Sequence, residues 1–280
     1  MPVQIDSENL VELERLSNRF LLVKHAIGGL LPGLTDAEIA QIRDVLEVGC
    51  GPGSWSLDMA QTYYHQKMQV IGVDTSRMMI TYANAEVQDR HLDNIRHLYV
   101  ENLAGPFACA DNSFDLISAQ FLSKTLDKGS WAALVRECRR ILRPGGWLRL
   151  TEFEVGESNA PAHEELWSLF IQAMRRSGHS LSQSDRHLGI LCEMEPLLFS
   201  AGFRDTRCIG HMINYSSGTP FHEEWKRDLH LFMKGIQSFM IKAGVSTQER
   251  LSQLQQQQQR EMSLRTFHGI LPMLTVWGRK

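Results

Sequence analysis

The sequence predicts an α/β fold: a mostly parallel sheet of seven strands, helices on both of its faces, and a helical cap. Three observations predict it. Between residues 44 and 151, short apolar runs of strand length alternate with segments of helical periodicity. The turns between them are rich in glycine and proline, and two further strand-like runs, 203–215 and 270–277, bracket a long helical insert. Such alternation builds β-α-β units, whose crossovers set strands parallel and place helices on both faces of the sheet.

The elements follow in order. Leu10, Leu13, Leu16, Phe20 and Leu21 recur near helical spacing with Glu12, Glu14, Arg15 and Arg19 between them, so residues 9–31 read as an amphipathic helix ended by Pro32 and Gly33. That helix either packs on the core or forms a lid over a ligand cleft. Val45-Leu46-Glu47-Val48 reads as a buried strand, and residues 54–64 as a helix opening after three glycines. Residues 69–73 form a second strand ending in Asp74, and a helix over 77–89 carries Met78, Met79, Tyr82 and Ala85 at core spacing. A third strand lies near 95–100 and a fourth at 114–118. A helix over 131–142 is stopped by Arg143-Pro144-Gly145-Gly146, and 147–151 is the fifth strand.

Beyond Glu152 the expectation is helices over 162–175 and 188–201, a strand over 203–215, a helical insert over 221–265 and a last strand, so that the final two strands are neighbours interrupted by the insert. Ser246-Thr247-Gln248-Glu249 is a capping box, and the glutamine run 255–259 reads as the solvated outer face of the helix it starts. The whole is one domain: an N-terminal lid (1–34), a core (35–154), cap segments (155–187 and 221–266) and the rest of the sheet (188–220 and 267–280).

Composition narrows the function classes. The 280 residues are 43% hydrophobic and 22% charged with a net charge of -3, as in ordinary globular proteins. Lysines and arginines are dispersed, without the basic stripe that a nucleic-acid partner requires. Cys50, Cys109, Cys138, Cys192 and Cys208 are far apart and odd in number, which fits free thiols in a reducing compartment. The acidic start (Asp6, Glu8, Glu12, Glu14) lacks the pattern of an export signal, and Lys24, His25, Gly28, Gly29 and Pro32 break the apolar stretch 20–34. A cytoplasmic monomer or homodimer with no membrane span is expected.

The strongest chemical signal is Glu47-Val48-Gly49-Cys50-Gly51-Pro52-Gly53, where a buried strand turns into a helix. Glycines there permit a tight turn and let a ligand approach backbone N–H groups at the helix start. The dinucleotide pattern G-x-G-x-x-G/A would need glycine or alanine at Ser54, which disfavours NAD or FAD. Asp74, at the end of the second strand, can accept hydrogen bonds from both hydroxyls of a ribose. Taken alone, an aspartate there is more often a helix cap, and the glycine turn tips the reading toward a ligand.

From Arg43 to Glu152 the chain resembles the class I S-adenosylmethionine (SAM)-dependent methyltransferases. The resemblance rests on Val45 to Gly53, on Val70 to Ser76 with Met79, on Asp111-Asn112-Ser113-Phe114-Asp115 and on Leu142-Arg143-Pro144-Gly145-Gly146. Its flavour is that of the quinone-biosynthesis and natural-product branch, with Leu198-Phe199-Ser200-Ala201-Gly202-Phe203 as a shared closing phrase. It implies a Rossmann-like fold that binds SAM and releases S-adenosylhomocysteine. By position it implies that Gly49, Cys50, Gly51 and Gly53 pass beneath the methionine part, with Glu47 organising the turn. Asp74 would hold the ribose, Thr75 and Met79 would flank the adenine, and Gln120 and Phe121 would lie beside the sulfonium. The chain departs from the family after its third strand, offering Glu101-Asn102-Leu103, so Glu101 and Asn102 share the role of facing the adenine amino group.

Methyl transfer from a sulfonium is an in-line displacement, for which alignment and exclusion of water matter most. The sequence offers His163, His179, His187, His211, His222, His230, Glu154 and Tyr215 as possible bases and singles out none. It has neither metal-ligand spacing nor the G-x-S-x-G nucleophile pattern, so a metal-independent transferase is expected, not a hydrolase. Trp167, Phe170, Met174, Trp225, Phe232, Met233, Phe239 and Met240 could line a pocket for a small apolar acceptor or form ordinary core. Methylation of a macromolecule, or SAM binding for sensing or non-methylating chemistry, are the alternatives.

Overall fold

Helix α1 (Leu10–Ala26) begins where the Asn9 side chain accepts the Val11 N–H. It stops at Ala26, short of the expected Leu31, because Gly28 (φ +82) and Gly29 (φ +124) take up left-handed backbone before Pro32 is reached. A computed structural model describes residues 9–280; Asp6 and Glu8 of the acidic start lie outside the described residues. A short helix that the sequence reading did not anticipate, α2 (Asp36–Ile39), follows on a Thr35–Glu38 capping box.

The alternating core then runs β1 (Asp44–Val48), α3 (Ser54–Thr62), β2 (Gln69–Asp74), α4 (Arg77–Asp89), β3 (Ile95–Tyr99), β4 (Phe114–Gln120), α5 (Lys128–Ile141) and β5 (Leu142–Phe153). The predicted turn at Arg143 to Gly146 lies inside β5, where it forms a bulge opposite the step from Phe114 to Leu116. After it come β6 (Glu157–Ser158), α6 (Pro161–Arg176), α7 (Ile190–Ser200), β7 (Arg204–Asn214), α8 (His222–Gly235), α9 (Gln237–Lys242), α10 (Gln248–Met262) and β8 (Gly269–Arg279).

The sheet order is β3-β2-β1-β4-β5-β8, with β6 and β7 both paired to β8. The first five strands are parallel, and β8 is antiparallel to β5 and β7. The seven expected strands are all present, and β6 is an eighth of two residues that continues the line of β5. Four residues from Phe153 to Glu157 span the same stretch of β8 as three from Met273 to Ile270, a one-residue slip. The order reverses between β1 and β4, and in such sheets the crevice at the carboxyl ends of those two strands is where ligands settle.

Val45, Leu116, Trp147 and Trp277 pack on one sheet face against Trp55 and Leu30, and Leu46, Val48, Ile117, Leu148 and Leu150 pack on the other. The first face also carries a buried polar row in register, Glu47, Ser118 and Arg149, with Gly72 beside Glu47. The guanidinium of Arg149 donates to Leu30 O at 3.1 Å and sits 5.9 Å from the rings of Trp55 and Trp277.

One expectation about the insert is overturned. The glutamine run is not uniformly solvated: Gln255 and Gln258 are buried, because α10 packs against α6, α8 and α9, with Gln255 facing Gln237 and Gln258 facing His163. Gln258 lies 2.8 Å from Nδ1 of the buried His163, and the His163 Nε2 accepts from Trp167 Nε1 at 2.9 Å. Since Nε2 accepts, Nδ1 carries the proton, so the Gln258 amide satisfies it best with its oxygen turned toward the ring.

Candidate active site

The turn after β1 is held by its own backbone. Gly49 N and Cys50 N both donate to Val73 O, at 2.8 and 3.0 Å, and Gly53 N donates to Cys50 O at 2.9 Å. Gly49 and Gly53 have φ of +72 and +78, and neither has room for a side chain: a Cβ on Gly49 would sit 2.4 Å from Leu122, and one on Gly53 would sit 2.7 Å from His97 Nε2. Gly53 leaves α3 without a side-chain cap, and Glu47 supplies the missing acceptor by taking the Ser56 N–H at 3.1 Å. Burial pushes the Glu47 carboxyl up to about 8.

Asp74 joins both strands' turns. Its Oδ2 accepts from Gly51 N and its Oδ1 from Ser76 N, each at 2.8 Å. Ser76 is the N-cap of α4, accepting from Met79 N at 3.2 Å, so the capping role weighed for Asp74 belongs to its neighbour. Each Asp74 oxygen keeps lone-pair capacity for a ligand. Burial raises its pKa against the pull of the backbone donors.

Above these groups lies a cavity of about 400 Å³. Of the residues singled out in the sequence, Glu47, Gly49, Cys50, Gly51, Asp74, Thr75, Met79, Leu103, Gln120 and Phe121 line it. Gly53, Glu101 and Asn102 do not. Gly53 is packed behind the turn against His97, Glu101 is exposed, and the Asn102 side chain closes its own turn by accepting from Ala104 N at 2.9 Å. Phe121 is a non-glycine residue at φ +57, a conformation that concentrates at functional sites. Its ring stands 5.7 Å from that of Phe153, which is also on the wall.

The sequence reading missed the charged groups on this wall. Glu152 is fully buried at the end of β5 and accepts from Leu122 N (2.5 Å), Ser123 N (3.2 Å) and Ser123 Oγ (2.7 Å). Burial pushes it up to about 7. Its signal was available, since it ends a core strand just as Asp74 does. Lys124 also lines the cavity, and burial lowers its pKa to about 8. From α1 come Glu12, Leu16, Arg19, Phe20 and Val23, so this helix covers the crevice. It is fastened to α8 through Asp228, which accepts from Arg15 Nη1 at 2.8 Å and Arg19 Nε at 3.0 Å.

Among the apolar cap residues, Phe170, Met174 and Phe232 reach the cavity, while Trp167, Trp225, Met233, Phe239 and Met240 are buried in the core. None of the bases considered from the sequence is on the wall. His163 is a core group that burial lowers to about 4, and His222 lies with Nδ1 2.8 Å from Tyr215 O. Glu154 instead ties down the loop before α7, accepting from Leu188 N and Gly189 N at 2.6 and 2.9 Å. Among the described residues no helix is long and apolar enough to cross a membrane.

Residues 45–146 match the family described as a methyltransferase domain. Demethylmenaquinone methyltransferase of Listeria welshimeri serovar 6b is 26% identical over 179 residues, 60% of this chain and 73% of that protein. YcgJ of Bacillus subtilis shares the fold with a TM-score of 0.51 at 17% identity, over 87% of this chain and 95% of that one. Phosphoethanolamine N-methyltransferase 2 of Haemonchus contortus, solved with phosphomonomethylethanolamine and S-adenosylhomocysteine, has a TM-score of 0.52 at 18% identity, over 94% of this chain and 57% of that one.

Proposed function

We propose that this chain, whose residues 45–146 match a methyltransferase domain, uses SAM to methylate a small, largely apolar acceptor held beneath α1, α6 and α8. The observation that carries this reading is the roofed crevice: one cavity runs from the glycine turn and Asp74 to Phe153, Phe170, Met174 and Phe232. A macromolecular acceptor would need an open mouth, whereas α1 here is fastened across the crevice to α8. That the Listeria relative is a demethylmenaquinone methyltransferase supports a small-molecule acceptor.

The residues present fit the donor. When bound, SAM supplies a methyl group made electrophilic by its sulfonium. Asp74 would hold the ribose hydroxyls with the oxygen capacity left by Gly51 N and Ser76 N, the open space at Gly51 would leave room for the methionine part, and Gly49 would pass beneath it. Thr75, Met79 and Leu103 would flank the adenine, where a thioether suits a flat ring. Gln120 and Phe121 would face the sulfur, with Phe121 fixed in place by its N–H to Thr151 O at 3.0 Å. Residues 9–34 and the α6 and α8 segments would then exclude water and align the acceptor.

The test is calorimetric titration with S-adenosylhomocysteine, followed by label transfer from methyl-labelled SAM into a small-molecule extract. Tight binding and a labelled product of low mass are expected. Absence of binding at millimolar ligand overturns the reading, and label found in protein or RNA overturns its acceptor half.

A further inference from the structure

We infer that Lys124 is the acceptor-recognising residue, its ammonium receiving an anionic oxygen of an otherwise apolar acceptor. The inference rests on the methyltransferase reading above. Glu12 of α1 gives its two oxygens to Arg15, at 2.6 and 2.7 Å. Asp228 of α8 gives one oxygen to Arg15 and the other to Arg19. Both carboxylates are thus engaged by the two guanidinium groups. Lys124 is left as a third cation facing two carboxylates.

Its carboxylate neighbour is Glu12 Oε1, 3.8 Å away and already the acceptor of Arg15 Nη2, so no hydrogen bond reaches the ammonium. The Phe232 ring lies 6.0 Å off, Arg15 and Arg19 repel it through space, and Phe153, Phe170, Met174 and Leu188 line the same cavity. Glu152 and Asp74 act on it only through space, each holding its own backbone donors. The Lys124 side chain is 25% exposed, so water solvates its ammonium in part; a carboxylate or an ionised phenol or enol replacing that water beside the apolar wall gains charge-assisted hydrogen bonds. An apolar body on the aromatic wall with one acidic oxygen at Lys124 is the acceptor chemistry that satisfies both surfaces.

The test uses the full chain saturated with S-adenosylhomocysteine and two isosteric probes, benzoate and benzamide, titrated by calorimetry. The wild type should bind benzoate at least about tenfold more tightly than benzamide, the span expected of a charged hydrogen bond. Lys124→Met should abolish that preference, Lys124→Arg should keep it, and both should bind S-adenosylhomocysteine within about twofold of wild type, which also reports that they are folded. Equal binding of the two probes by the wild type, failure of benzoate to bind at millimolar concentration, or a preference that survives Lys124→Met overturns the inference. A tenfold loss of S-adenosylhomocysteine affinity in Lys124→Met also overturns it, by assigning Lys124 to the donor's own carboxylate. If the wild type itself does not bind S-adenosylhomocysteine, the methyltransferase reading is what fails.

Discussion

Asp74 Oδ2 accepts the amide proton of Gly51 at 2.8 Å, so the carboxylate that ends β2 is also the fastener of the turn that follows β1. Two functions meet in one side chain: it fixes the turn from within and offers its remaining lone pairs outward to the cavity. Asp74→Ala removes both. The affinity for S-adenosylhomocysteine should fall about 10- to 100-fold, the range for losing hydrogen bonds to a charged group. Titration calorimetry gives the number, and an affinity within twofold of wild type would remove Asp74 from the donor site.

Gly51 and Gly53, on either side of Pro52, should separate fold from ligand. At Gly53 a Cβ meets His97 Nε2 at 2.7 Å and Ala83 Cβ at 3.0 Å, and the ring cannot retreat because Ser56 Oγ holds it at 2.9 Å. With φ at +78 as well, Gly53→Ala should lower stability by about 1–3 kcal/mol in urea denaturation. At Gly51, which lines the cavity, the one atom of the described residues within 4 Å of an added methyl is Leu16 Cδ1, at 3.8 Å. Gly51→Ala should cost about 1–2 kcal/mol of backbone strain and weaken S-adenosylhomocysteine binding more than Gly53→Ala does.

Stability should decline as pH rises from about 6.5 to 8. Glu47 and Glu152 have folded pKa values raised to about 8 and 7 from 4.5, so above 4.5 the folded state holds more protons than the unfolded one, and stability is lost as pH climbs through the raised values. His97 and His163, lowered to about 4 from 6.5, act in the opposite sense, but only up to 6.5. Lys124 loses its proton in the folded state from about pH 8, which begins a stabilising trend only above that window. Glu47→Gln, which keeps an acceptor for Ser56 N, should flatten the decline between pH 6.5 and 8 in thermal melts. An unchanged slope would mean that Glu47 is ionised in the folded protein.

The parts of this molecule that could be read beforehand are those whose determinants lie within a few residues of each other. The glycine turn, the strand before it and Asp74 are local patterns, and Glu47, Gly49, Cys50, Gly51 and Asp74 from them line the cavity. The Gly28-Gly29 pair was also local, and it ends α1 in preference to the proline further on, since left-handed backbone needs no more than two glycines. What escaped depends on distant partners. Arg15 and Arg19 meet Asp228 across more than 200 residues, and Lys124 sits in no motif, so nothing near them in the chain announces a charged roof. Gln258 shows the reverse error: a polar run suggests a wet surface until a buried His163 requires an amide to satisfy its ring. Glu101 and Asn102 failed to reach the wall because an asparagine in a turn bonds its own backbone first.

The roof itself supplies the last prediction. Asp228, Arg15 and Arg19 have side chains 4, 1 and 9% exposed, so the ion cluster between α1 and α8 is buried. Buried ion pairs add little net stability when complete, yet removing one member leaves charges with no compensation. Asp228→Ala strands the Arg19 guanidinium and leaves Arg15 with Glu12 alone, and should cost about 3–5 kcal/mol in urea denaturation, with amide exchange in α1 accelerating more than in β1 or β4. Asp228→Asn retains an acceptor oxygen for one arginine and should lose less. Were Asp228→Ala to leave the exchange of α1 unchanged, its apolar contacts, led by Leu22 and Val23, would be what keeps the crevice covered.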